Sequence, residues 1–162
     1  MGIFSGRIGR ESARDLTILA VTLLAVLLTA CTPAPPPVHD VTKEPWYAPT
    51  VDELADMNRE AKAAFEHGDS DKASALILKG EPLVSRLMTA SHPTLAAAEA
   101  ASDLTELYGR MLFSNKHYGW ARLQFQQDFA RWKHWQPQTP ETALRLKQAG
   151  DGMDECDRHL PE

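Results

Sequence analysis

The sequence predicts an all-α fold of about five antiparallel helices, arranged as two helical hairpins plus a C-terminal capping helix. Three observations carry that expectation. From Leu54 to Leu160 apolar residues recur every three or four positions, the spacing of one helix face. No stretch alternates with period two, the mark of a half-buried strand. Proline, glycine and asparagine break the pattern into short-turn lengths, and short turns make antiparallel neighbours.

The first helix is expected after Pro49, where Thr50-Val-Asp-Glu53 reads as a capping box. Leu54, Met57, Ala61 and Phe65 form its apolar stripe, and Gly68 suits a C-terminal stop. Asp69 or Ser70 starts the second helix, striped by Ala73, Leu76, Ile77, Gly80, Leu83, Val84, Leu87 and Met88. Pro82 lies inside that stripe. Proline removes a donor and clashes one turn back, so a kink or break is expected near residues 79–81. Ser91-His-Pro93 opens the alanine-rich third helix, and Asn115 stops it. His117-Tyr118 begins the fourth, whose core face holds Tyr118, Phe125, Phe129 and Trp132. Thr139-Pro140-Glu141 starts the last helix, striped by Leu146, Ala149, Met153, Cys156 and Leu160.

The chain has 162 residues and a formal charge of −5. That length suits one small domain with an appendage. The mild acidity excludes the basic stripe of a nucleic-acid binder. Two cysteines cannot make a disulfide framework.

The amino terminus reads as an address. Arg7, Arg10 and Arg14 precede an uncharged run from Leu16 to Ala30. Those 15 residues fall short of the roughly 20 that a spanning helix needs. A positive start, a short apolar core and small residues at its end describe a signal peptide over residues 1–30. Leu28-Thr29-Ala30-Cys31 resembles the lipobox of bacterial lipoproteins. The resemblance implies that the Cys31 thiol receives a diacylglycerol and that cleavage makes Cys31 the first mature residue. It also implies acylation of the new amine. Thr32 stands where an aspartate would signal inner-membrane retention. For a Gram-negative envelope, that implies the outer membrane, facing the periplasm. Removing residues 1–30 leaves 14 basic and 20 acidic side chains, a charge of −6. Such a domain is not held to anionic lipid by charge, so the acyl chains must hold it.

Residues 31–49 read as the lipidated cysteine and a proline-rich tether, with residues 50–162 as the helical domain. The 18 residues from Thr32 to Pro49 would reach roughly 55 Å if fully extended. Within them, Trp46-Tyr47 either packs on the domain or offers a docking spot.

Gly109, Lys116, Tyr118, Ala121 and Phe125 follow one another in a pattern that resembles the tetratricopeptide repeat. There a small residue, a turn, an aromatic, an alanine and a second aromatic recur. The first hairpin is a poorer copy, with Ala61, Gly68, Ala73 and Ile77 at the matching places and Ser70 where an aromatic is usual. Ala61 and Gly109 are 48 residues apart, whereas the repeat has about 34. Tetratricopeptide-like stacking and a simple helical bundle both fit.

Catalytic and metal motifs are missing from the sequence. The six histidines stand singly, mostly beside predicted helix ends, where they complement the dipole. Asp151, Asp154, Glu155 and Asp157 lack the spacing of a calcium loop. Glu99, Asp103 and Glu106 share a helix face and read as solvated. Cys156 reads as a small buried apolar residue, with an intermolecular disulfide as the alternative. No enzymatic activity is expected, and no cofactor beyond the covalent lipid on Cys31.

The segment from Trp120 to Trp135 holds three of the four tryptophans. Helix geometry turns Trp120 and Trp135 away from the core face, and tryptophan with arginine is the composition of interface hot spots. Trp120, Arg131, Trp132 and Trp135 are therefore the expected partner-contact residues. The expectation is a membrane-anchored envelope lipoprotein whose domain binds a protein or peptide. The alternative is a structural, self-associating lipoprotein in contact with the cell wall.

Overall fold

The computed structural model describes residues 39–161. The signal peptide, the lipobox (Leu28, Thr29, Ala30), Cys31 and the tether through Val38 lie outside the described residues. The fold is all-α: α1 is Tyr47–Glu66, α2 Ser70–Leu87, α3 Leu95–Ser114, α4 Tyr118–Lys133 and α5 Pro140–Asp157. A 3-10 turn, Val41–Lys43, precedes them. No strand occurs among the described residues, and no helix there is long and apolar enough to cross a membrane.

Both hairpins turn by the same device. After α1, the Gly68 N–H donates to the Phe65 carbonyl and the Asp69 N–H to Ala64. After α3, Lys116 donates to Phe113 and His117 to Leu112. These paired bonds close a Schellman motif, which needs a left-handed residue just past the cap. Gly68 takes φ 81° and Lys116 φ 63°. Asp69 then caps α2, its carboxylate accepting from the Lys72 N–H at 3.0 Å.

Three helix boundaries differ from the sequence-based expectation. The first helix starts at Tyr47, not Thr50. Thr50 is already helical, and its hydroxyl donates to the Trp46 carbonyl at 2.7 Å. Pro49 sits in the first turn, where its missing N–H costs nothing. The stretch expected as tether is thus folded from Val41 onward. Tyr47 is buried, and Trp46 packs at the core's edge with the Arg86 guanidinium 3.9 Å above its ring. The second helix runs unbroken through Pro82. Pro82 takes the donor away from the Leu78 carbonyl, and Leu78 is an exposed residue on the outer face of the helix. The third helix begins after Pro93, with the Thr94 hydroxyl accepting from the Ala97 N–H at 3.2 Å.

α3 is the central element and packs on α1, α2 and α4. Its alanines explain how three neighbours fit. Ala97, Ala98, Ala100 and Ala101 are all buried and keep the helix narrow. Beneath the first hairpin lies a core of Leu54, Ala61, Ile77, Leu87 and Leu104. A second cluster, Ala121, Phe125 and Cys156, joins the second hairpin to α5. The fifth helix begins with Pro140 behind a reciprocal cap between Thr139 and Thr142.

Candidate functional site

One cleft is lined by residues from one face of α1 and one face of α3. Ala55, Asn58, Lys62 and Phe65 follow one another at helical spacing along α1, with Arg59 and Glu66 beside them. Asp103, Glu106, Leu107, Arg110, Phe113 and Ser114 line the opposite wall. The cavity measures about 770 Å³, within the range of ligand-holding clefts. Its lining mixes apolar and charged side chains, so it offers dispersion contacts and ionic partners together.

Asn58 is the unusual member. It is only 6% exposed, and its Nδ2 donates to the Ala100 carbonyl across the α1–α3 seam at 2.7 Å. Its Oδ1 is buried without a partner, the one such side-chain atom among the described residues. The expected stripe of α1 missed it. The buried face is Val51, Leu54, Asn58, Ala61 and Ala64, while Met57 and Phe65 are half-buried. A signal was present, because Asn58 follows Leu54 by four and precedes Ala61 by three. A polar residue on an apolar stripe is a candidate binding group.

The cleft's ionic groups differ in how firmly they are held. Arg145 of α5 holds Asp103 at 2.7 Å. Arg110 reaches Glu155 of α5 at 3.1 Å but Glu106 only at 3.8 Å. Lys62 reaches Glu66 at 3.9 Å, and Arg59 pairs with Asp56.

The four tryptophan-segment residues expected to contact a partner do not form one surface. Trp132 is fully buried and is corrected to a core residue. Its Nε1–H donates to the Ser102 hydroxyl at 2.9 Å, and that hydroxyl donates to Asp128 Oδ2 at 2.8 Å. Arg131 points back to Asp128, with its side chain 16% exposed. Trp135 is half-buried and packs edge-on against Trp132, with ring centroids 5.8 Å apart. Trp120 alone stands clear, 66% exposed, with Leu123 exposed one turn on. It lies some three turns from Trp132, about 18 Å at 1.5 Å per residue.

Asp128 is 3% exposed. Burial raises its carboxyl above the usual carboxylate range, against the opposing pull of Arg131 and Ser102. Sequence reading did not single it out, since an acid among surface-looking glutamines gives no sign of burial.

The remaining candidates pair off. In the acidic cluster of α5, Asp151 meets Lys147, Glu155 meets Arg110 and Asp157 meets Arg122. Asp103 and Glu99 of α3 both face Arg145. No group of three or more His, Cys, Asp or Glu with metal-holding geometry occurs among the described residues. Cys156 is a free, fully buried cysteine. Burial, with Glu155 and Asp157 nearby, holds its thiol above the ordinary value, and a protonated thiol is a poor nucleophile. His67 ends α1 by donating from Nδ1 to the Ala63 carbonyl at 2.6 Å, and His159 stacks on Tyr118.

Comparison with protein-family models, with curated proteins and with solved structures finds no match to this chain.

Proposed function

We propose that this chain is a lipid-anchored envelope lipoprotein whose helical domain is a non-enzymatic docking module for a protein or peptide. The anchor part rests on the residues around Cys31. Leu28-Thr29-Ala30-Cys31 closes a signal-peptide pattern in the right order, and two or more acyl chains hold a protein to a bilayer where one does not. The location that follows is the periplasmic face of the outer membrane, if the envelope is Gram-negative. The docking part rests on one observation, the α1–α3 cleft with Asn58 in its lining. Tetratricopeptide-like stacking is part of this reading. It is supported by the shared turn motif at Gly68 and Lys116, and by Gly109 meeting Phe125 as the small residue meets the aromatic in such hairpins.

Two measurements test the reading. Labelled palmitate should enter the wild-type chain in the source cell and fail to enter Cys31→Ser. Loss of label with a correctly processed wild type places the anchor at Cys31; equal labelling of both sinks it. For docking, the full chain in detergent is immobilised against solubilised envelope, beside Leu107→Glu. A protein retained by wild type and lost with Leu107→Glu supports the cleft. Equal retention by both removes it.

A second reading, self-association, is favoured by the exposed Trp120 and Leu123 on α4. Sedimentation of the full chain in detergent would then show oligomers that Trp120→Ala dissolves.

A further inference from the structure

We infer that a smaller cleft, formed by α2, α3 and α4, binds a neutral sugar ring. No residue of α1 lines it. It is therefore distinct from the α1–α3 cleft, and the inference stands apart from the docking reading.

The lining decides what can be held. Ile77, Val84 and Leu104 give the hollow an apolar patch. Around it stand Glu81 and Ser85 of α2, Tyr108 of α3, and Gln124 and Gln127 of α4. Of the polar side chains that line it, only Thr105 has a partner among the described residues: its hydroxyl donates to the Ala101 carbonyl at 2.7 Å. The others line one hollow with their hydrogen-bonding capacity unspent. No lysine, arginine or histidine is among them, and Glu81 is the one charge. A phosphate or carboxylate would meet no counter-charge there, so charge complementarity speaks against an anionic ligand.

The donor set then selects among uncharged ligands. A glutamine amide both donates and accepts, and so does a hydroxyl. Each sugar hydroxyl does the same, so a row of them is matched group for group. The Glu81 carboxylate can accept from two neighbouring hydroxyls. A sugar ring also has a C–H face, which suits the apolar patch and the electron-rich face of Tyr108. The hollow measures about 250 Å³, just below the range of clefts that enclose drug-sized ligands. That is the scale of one ring, not of a peptide segment. Trp120 extends the site. It precedes Gln124 by four residues on the same face of α4 and is 66% exposed. The separation is about 6 Å along the axis, close to the length of one ring in a linked sugar chain. A second ring would lie on its indole.

The test is calorimetric titration of the full chain, in a detergent without a sugar headgroup. The neutral probes are β-1,4-linked N-acetylglucosamine and α-1,4-linked glucose, each as monomer and trimer. Trimers of galacturonic acid and of glucosamine are the anionic and cationic controls. One neutral series should bind, its monomer with a Kd of about 1 mM, as for a ligand of some dozen heavy atoms. The affinity should be the same at low and high salt, since no ion pair forms. Gln124→Ala should weaken binding about fivefold, as for one lost hydrogen bond. Glu81→Gln should weaken it by a similar factor. Trp120→Ala should weaken the trimer and leave the monomer unchanged. Lys62→Ala, in the α1–α3 cleft, should bind as wild type does. Far-UV circular dichroism checks that each variant is folded, and Glu81→Gln, on an exposed residue, decides the matter if Gln124→Ala does not fold. Which neutral series binds tells whether the ring carries an acetamido group. No binding of either neutral series at about 10 mM, well above the expected Kd, overturns the inference. So does binding of a charged control alone, or neutral binding that both Gln124→Ala and Glu81→Gln leave unchanged. The docking reading is untouched by any of these results.

Discussion

The ring of Phe125 occupies the space that a side chain on Gly109 would need: a Cβ built on Gly109 meets the ring at 2.8 Å. Gly152 of α5 meets the same ring at 2.8 Å. Phe125 is 1% exposed, so it has nowhere to move. The two glycines let α3 and α5 close on α4, and the ring welds the second hairpin to the last helix.

Gly109→Ala and Gly152→Ala should therefore each destabilise the domain by about 1–2 kcal/mol. Overpacking costs about 1–3 kcal/mol, and the better helix propensity of alanine returns up to about 1 kcal/mol. Gly150→Ala is the control. A Cβ there meets Phe129 at 3.6 Å, an ordinary contact. It should stabilise by about 0.5–1 kcal/mol. Urea melts followed by circular dichroism separate the two signs, and a stabilising Gly109→Ala would show that the α3–α4 contact is loose.

The tryptophans separate in the same way. Trp132 fills the interior and hydrogen-bonds Ser102, whereas Trp120 faces solvent. Trp132→Ala should cost about 3–5 kcal/mol, the usual result of emptying a buried aromatic site. Trp120→Ala should stay within about 0.5 kcal/mol of wild type. Thermal melts check both, and a large loss with Trp120→Ala would assign that residue a structural role instead of a surface one.

Asp128 predicts a pH effect with a definite sign. Burial raises its carboxyl in the fold, so the folded state binds the proton more readily than the unfolded chain. The stability this contributes is fully present below the ordinary carboxylate pKa and is lost as pH rises through the raised value. Asp128→Asn cannot titrate. The stability of wild type relative to Asp128→Asn should thus fall as pH climbs from the ordinary aspartate range through the raised pKa. Surface acids such as Asp40 and Glu60, whose pKa values their partners lower, act in the opposite direction, but in both proteins equally. Denaturant melts across that interval check the difference. A difference that rises with pH would mean that Arg131 outweighs burial.

Helix number and most helix ends were legible from residue type alone. Asp69, Asn115, His117 and Thr139 mark their boundaries, because caps and turns act locally. The start of α1 was not legible. Tyr47 is held helical by a buried ring and by the Thr94 N–H donating to its hydroxyl at 3.3 Å, a contact 47 residues away in the chain. Pro82 misled for a related reason, since its cost depends on whether the Leu78 carbonyl sees water. The cleft was the least legible feature. Asn58 gave one polar signal on an apolar stripe, but Glu106 and Arg110 look like any solvated helix face until α1 lies beside them. The clustered aromatics pointed elsewhere, because the tertiary fold decides which tryptophans are buried.

The turn between α3 and α4 carries a residue that the motif does not favour. Lys116 holds φ 63°, in a position that Gly68 fills in the first hairpin. A left-handed conformation costs a residue with a Cβ about 1–2 kcal/mol, and glycine is free of that cost. The motif nevertheless forms, with its two bonds at 2.9 Å from Lys116 to Phe113 and from His117 to Leu112. The side chain itself is exposed and makes no packing that glycine would forfeit. Lys116→Gly should therefore stabilise the domain by about 0.5–1 kcal/mol, the conformational gain less the greater entropy of glycine in the unfolded chain. Gly68→Ala should do the reverse: no atom crowds a Cβ there, so φ 81° alone sets its cost, near 1 kcal/mol. Paired urea melts of the two variants should move to opposite sides of wild type. Movement of Lys116→Gly to the destabilised side would mean that the lysine contributes through its charge near the C-terminal end of α3 by more than its backbone conformation costs.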